Sequence, residues 1–120
     1  MAITANDLTA QVMLELSRDD CRLWRVNAGV SWQGRVVERT ASRLVLSPYY
    51  AVKLAPIGFP DLAGFSAPCV FTGIEVKFGR DRVRPEQQSF IDMILEAGGR
   101  AGIARNLDDA KRIVTMEVQK

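Results

Sequence analysis

The stretch from Leu54 to Ile74 constrains this chain more than any other. It holds a single charged residue, Asp61, and it is long enough to raise the question of a membrane span. Pro56, Pro60 and Pro68, together with Gly58, Gly64 and Gly73, interrupt it too often for a helix. The segment therefore reads as buried strands and turns of a protein core. Asp61 then stands out, because a charge in apolar surroundings needs a partner or a metal.

Within this region, residues 61–66 and 69–78 are predicted to be strands paired around Ser66-Ala67-Pro68. Side chains alternate along a strand. Val70, Thr72, Ile74, Val76 and Phe78 thus share one face, and Phe71, Gly73, Glu75 and Lys77 share the other. Upstream, Thr4 or Asn6 caps a first helix running to about Asp20. Leu8, Val12 and Leu16 form its apolar stripe, and Glu15 lies on that stripe by helical spacing. Residues 22–28 read as a strand, Gly29 to Gly34 as a turn, and 35–39 with 43–47 as a short hairpin. Tyr49 to Gly58 reads as irregular.

Downstream, Gly79 to Arg84 is a basic loop, and Pro85 suits the first turn of a helix. Phe90, Ile91, Ile94 and Leu95 form that helix's stripe, and Gly98-Gly99 stops it. Gln87 faces inward at its N-terminal end. Residues 100–105 are predicted as a strand, and Asn106 caps a last helix. Helix, several strands, helix, strand, helix is the order of an α/β fold with a mixed sheet flanked by helices. A length of 120 residues suits one domain over 1–120.

Composition narrows the chemistry. There is no histidine, which removes histidine bases, histidine-assisted nucleophiles and histidine metal ligands together. Two cysteines, Cys21 and Cys69, are too few for a four-cysteine zinc site or a disulfide scaffold, and they read as structural thiols. The first residues show no basic and apolar leader. The expected setting is intracellular and cytoplasmic, with no membrane. The net charge of +2 is no polycationic signature, yet twelve of the sixteen basic residues are arginine, a mild pointer to phosphate.

The strongest constellation is Asp61 at the start of one strand with Glu75 and Lys77 on one face of the next. If the strands are antiparallel neighbours, two carboxylates and an ammonium converge. Carboxylate oxygens are the ligands magnesium prefers, and such a metal suits phosphodiester hydrolysis without histidine. Lys77 is placed to orient or deprotonate a water, or to neutralise developing charge. The plainer readings are a turn-forming Asp61 and an exposed strand pair of Glu75 and Lys77. Arg80, Arg82 and Arg84 are candidates for phosphate contact, the plainer reading being a solvated loop. Arg22, Arg25, Arg35, Arg39 and Arg43 form a second basic set. Trp24, Trp32, Tyr49 and Tyr50 read as core or interface.

Gly58-Phe59-Pro60-Asp61-Leu62, then Ile74-Glu75-Val76-Lys77, then Arg84-Pro85-Glu86-Gln87-Gln88-Ser89-Phe90 resembles the VRR-NUC (virus-type replication-repair nuclease) domain. That family sits in the PD-(D/E)XK, restriction-endonuclease-like superfamily. Gly98 to Arg105 followed by Asp108-Asp109-Ala110 extends the resemblance, which runs from about Asp7 to Val114. It implies a restriction-endonuclease-like core and a Mg2+- or Mn2+-dependent DNA endonuclease, phage-encoded or bacterial. Asp61 and Glu75 match the metal-binding acids, the Val76 carbonyl a further ligand, and Lys77 the catalytic lysine. Gln87 matches a supporting glutamine, and Glu15 the first-helix acid that completes the metal shell. Small standalone members resemble Holliday-junction resolvases, so the implied partners are branched DNA and a second copy in a homodimer. The rival expectation is a catalytically silent DNA-structure-binding or interaction module of a phage or repair complex.

Overall fold

The computed structural model describes residues 4–26, 30–53 and 55–119. The elements are α1 (Ala5–Leu16), β1 (Arg22–Arg25), β2 (Val30–Arg39), β3 (Leu44–Lys53), β4 (Leu62–Ser66), β5 (Val70–Val76), α2 (Pro85–Glu96), β6 (Arg100–Ala104) and α3 (Leu107–Thr115). Four strands form a mixed sheet in the order β1-β4-β5-β6, and β2 and β3 form a separate two-stranded sheet. The β1–β4 and β4–β5 pairs are antiparallel, whereas β5 and β6 run parallel. This is the expected α/β fold, with helices against a mixed sheet.

Strand β5 is the axis of the sheet and is covered on both faces. Thr72, Ile74 and Val76 are buried on one side. There the two last named join a core with Leu8, Val12 and Leu16 of α1 and Ala110 and Ile113 of α3. On the other side Gly73 lies so close to Pro60 that an added Cβ would stand 2.8 Å from its ring and 3.2 Å from Ile94 of α2. A strand sandwiched in this way leaves little room for a charged side chain, yet it carries Glu75.

The helix ends follow local chemistry. The Thr4 hydroxyl accepts from the Asp7 N–H and caps α1, and the Asn106 side chain accepts from the Asp109 N–H and caps α3. Helix α1 stops at Leu16, four residues short of the expected Asp20. Ser17 is already extended, and Arg18 and Cys21 exchange backbone hydrogen bonds of 2.8 and 3.1 Å that close a tight turn.

The region between β1 and β4 departs most from the sequence expectation. The turn expected at Gly29 to Gly34 is strand from Val30 onward, Gly29 itself lying outside the described residues. The irregular segment expected from Tyr49 is strand as far as Lys53. The hairpin is therefore longer than its predicted core of 35–39 and 43–47. Its register shifts between Gly34 and Val36 and again between Val36 and Glu38. Such bulges break the alternation by which strands are recognised, and Val36 and Val37, adjacent in sequence, are both exposed.

Candidate active site

The β4–β5 register sets up the site. Leu62 stands opposite Ile74, so the preceding residue, Asp61, arrives beside Glu75 and Val76. The Val26 N–H donates to the Asp61 carbonyl at 2.8 Å, tying the end of β1 to the same point. The Asp61 carboxylate then accepts the Val76 N–H through Oδ2 at 3.0 Å. The turn leading into Asp61 depends on Gly58. Its φ is +92°, and an added Cβ would lie 2.5 Å from the Glu86 carbonyl oxygen, so only glycine lets this loop touch the start of α2 without strain.

Helix α2 reaches Glu75 through Gln87. Gln87 faces inward, as its spacing before Phe90 and Ile91 predicts, and its side chain is used at both ends. Oε1 accepts from the Arg84 N–H at 2.9 Å, and Nε2 donates to Glu75 Oε1 at 3.2 Å. The first bond satisfies a backbone donor at the helix start. The second grips the carboxylate.

Glu75 is the unusual group. It is 3% exposed, and its Oε2 atom has no hydrogen-bond partner among the described residues. Its pKa is raised to about 8. Burial is the main cause, followed by the adjoining Asp61 carboxylate, whose closeness favours the neutral form and whose charge repels that of Glu75; Lys77 and Arg84 pull the other way. Lys77 and Arg84 are thus near enough for their charges to be felt. Two carboxylates held together with one buried oxygen lacking a donor fit a hard divalent cation, which would relieve both the repulsion and the missing contact. Among the described residues no three Asp, Glu or Cys side chains cluster as a metal cage, so this chain offers two carboxylates rather than a full carboxylate shell.

Glu15 does not join them. Helical phase places it about 20° from Leu8 around α1, but the buried face is Leu8, Thr9, Val12 and Leu16, and Glu15 is exposed. It lies about 120° around the helix from Thr9 and about 9 Å further along it. The α1 residues beside Asp61 are Ala5, Asn6 and Thr9. With Arg25, Val26, Asp61 and Val76 they line a cleft of about 160 Å³.

Arg25 is the arginine of the second basic set that reaches the site. Its guanidinium donates to Asn6 Oδ1 and to the Asn6 carbonyl, both at 3.5 Å. Because Thr4 is the cap, the Asn6 side chain is left for this contact. Neither Asn6 nor Thr9 has a sequence signal that marks it as a site residue. Arg80, Arg82 and Arg84 are exposed on the loop before α2. Arg105 shapes that loop, donating to the carbonyls of Gly79 at 3.3 Å and Asp81 at 2.8 Å. A larger cleft of about 560 Å³ between the end of α1 and α3 contains Cys21 and a single acid, Asp20. The smaller cleft is the one that reaches Asp61. Burial pushes the Cys21 thiol pKa up, as befits a structural thiol.

A family model described as the VRR-NUC domain matches residues 15–106. The chain belongs to the VRR-NUC family. The match takes in every strand described, helix α2, and both Asp61 and Glu75. Membership makes this a nuclease-family domain with DNA as its substrate class, in a family that typically uses divalent metals. No curated protein and no solved structure matches the chain. Among the described residues no helix is long and apolar enough to cross a membrane.

Proposed function

We propose that this VRR-NUC chain is a Mg2+- or Mn2+-dependent endodeoxyribonuclease that cuts branched DNA, resembling a Holliday-junction resolvase, and works as a homodimer. The observation that carries the reading is the half-buried Asp61 beside buried Glu75, whose Oε2 has no hydrogen-bond partner among the described residues, with Lys77 close by. Asp61, Glu75 and the Val76 carbonyl would hold the cation. When bound, it would supply Lewis-acid polarisation of a phosphoryl oxygen and a water of lowered pKa.

The chain's own residues supply the rest. Gln87 fixes the rotamer of Glu75, and the Val76 N–H fixes that of Asp61, so the carboxylates are preorganised. The Lys77 ammonium, two residues from Glu75 on the same strand face, orients the attacking water and offsets the charge that develops on the phosphate. Arg80, Arg82 and Arg84 meet flanking phosphates with planar guanidinium forks. Glu15, remote from the pair along α1, is given no part in holding the cation.

The homodimer is argued from the substrate. Symmetric cutting of two strands at a junction needs two sites related by a two-fold axis, and a chain of this size carries one pair.

The test is cleavage of a four-way junction against linear duplex, with Mg2+ or Mn2+ and with chelator. Junction-selective cleavage that chelation abolishes, and that Lys77→Ala lowers by at least about 100-fold, is expected. Cleavage that survives both chelation and Lys77→Ala would overturn the mechanism. Junction binding without cleavage under any divalent metal would leave a silent DNA-binding module instead.

A further inference from the structure

Strands β2 and β3 pair with each other and with no other strand. They pack chiefly on one another rather than on the body of the protein. Each strand has ten residues, enough for a ribbon about 33 Å long. The molecule is correspondingly elongated, at 51 × 33 × 31 Å. An isolated two-stranded ribbon is marginally stable in water, so a projecting one of this length calls for something to lie against.

Its charge says what. Residues 30–53 contain Arg35, Arg39, Arg43 and Lys53 against the single acid Glu38, a balance of +3. The whole chain carries +2, so the remainder is −1. The excess positive charge of the protein therefore resides in this hairpin. Arg43 pairs with Glu38 at 2.5 Å, whereas among the described residues Arg35 and Arg39 form no ion pair. Both are exposed, and Val36, Val37, Tyr49 and Tyr50 between and beside them are exposed as well.

A second copy of the chain suits this surface poorly. The arginines are interleaved with the apolar side chains, so a two-fold contact would bury guanidinium groups against their own equivalents with one acid per copy to answer them. Nucleic acid supplies the anions the arm lacks, and a two-stranded ribbon fits the major groove of duplex DNA.

We propose that the β2–β3 hairpin is a DNA-binding arm that engages the phosphate backbone of a duplex away from the cleavage point through Arg35, Arg39 and Arg43. This rests on the nuclease reading above and adds a second, non-catalytic contact to it. The arm holds a duplex limb of the substrate while the Asp61–Glu75 pair meets the scissile strand.

The test is binding of full-length protein to a 30-base-pair duplex in EDTA across a salt series, wild type against R35A/R39A/R43A and R35K/R39K/R43K. The alanine variant is expected to bind at least about tenfold more weakly near 0.1 M salt. Its slope of log affinity on log salt is expected to be smaller by about two to three, one unit for each lost phosphate contact. The lysine variant keeps the slope. Cleavage rate at saturating DNA stays at the wild-type level. Unchanged affinity and slope in the alanine variant overturn the arm while leaving the nuclease reading intact. Loss of self-association by sedimentation with undiminished DNA binding also overturns it, and assigns the hairpin to the dimer. Failure of wild type to bind duplex at low salt overturns the arm too, while the nuclease reading stands or falls separately on cleavage of the four-way junction.

Discussion

Gln87 holds one oxygen of Glu75, at 3.2 Å from its Nε2, while the other has no donor among the described residues. The same amide caps the backbone at Arg84 through Oε1, so it cannot turn away without losing a second bond. Gln87→Ala removes both. The capping loss costs about 1 kcal/mol, and loosening the carboxylate lowers metal affinity or activity by about 10- to 100-fold. A thermal melt gives the first quantity. Titration of the melting shift with Mn2+ gives the second, which a role confined to capping would leave unchanged.

The raised pKa of Glu75 makes the metal-free protein sensitive to pH. The folded chain keeps a proton on this group up to about pH 8, while the unfolded chain releases it in the ordinary carboxylate range. Between those limits the folded state binds more protons. Stability therefore falls as pH rises through this window, by up to about 1.4 kcal/mol per pH unit, and levels off above about pH 8. A divalent cation competes with that proton, so its apparent affinity climbs by up to about tenfold per pH unit over the same range. Melting temperatures from pH 5 to 9, with and without Mn2+, show both trends. Glu75→Gln is expected to flatten the first and abolish the second, together with cleavage.

Asp61 has a structural and a chemical task, and two substitutions separate them. Asp61→Asn can still accept the Val76 N–H through its amide oxygen, so the fold is kept within about 1 kcal/mol. It also removes one of the two negative charges, so the pKa of Glu75 drops towards the ordinary range and the pH slope shrinks. Stabilisation by metal, and cleavage, are lost with it. Asp61→Ala leaves the Val76 donor unanswered and costs a further 1–3 kcal/mol, roughly. Paired melts with and without divalent ion distinguish the two.

Gly58 is required by its backbone and by its neighbour. At φ +92° with the Glu86 carbonyl 2.5 Å from where a Cβ would sit, Gly58→Ala strains the turn and pushes it from α2. A loss of about 1–3 kcal/mol is expected. Activity is expected to fall further than stability explains, because the same turn delivers Asp61 to Glu75. Single-turnover cleavage well below the melting temperature measures that excess.

The parts of the site legible in the sequence are those that rest on strand period and end signals. Asp61, Glu75 and Lys77 fall together because an isolated charge and a period of two are both visible in the residues, and the β4–β5 register follows from the turn at Ser66 to Pro68. Gln87 is legible from helical phase, since α2 starts where Pro85 says it does. Glu15 misleads by the same rule. A phase near Leu8 is compatible with either margin of the stripe, and only the packing of α1 on β5 shows that the margin towards Asp61 is that of Asn6 and Thr9. The β2–β3 hairpin is legible only in its core at 35–39 and 43–47, for another reason: its bulges scramble the alternation, and its described side chains include none that is buried, so no burial pattern marks its full length. Arg25 is visible as an arginine and no more. What singles it out is the sheet order, which places β1 next to β4.

Arg25 leads to the last expectation. It lines the cleft with Asp61 and Val76, and its bonds to Asn6, at 3.5 Å, are at the weak limit for hydrogen bonds. A guanidinium so loosely held is free to re-aim at an anion entering the cleft. Its place beside Asp61 in the cleft suits a phosphate oxygen of the scissile group. Arg25→Ala is expected to lower the single-turnover rate at saturating DNA by about 100-fold, with little change in Kd, because the interaction grows as charge develops. Arg25→Lys restores the charge without the planar fork and is expected to recover part of the rate. A change in Kd alone, with the rate untouched, would make Arg25 an ordinary backbone contact. Asn6→Ala offers an internal control: it removes the Oδ1 acceptor, leaves the Asn6 carbonyl in place, and is expected to cost less than tenfold in rate.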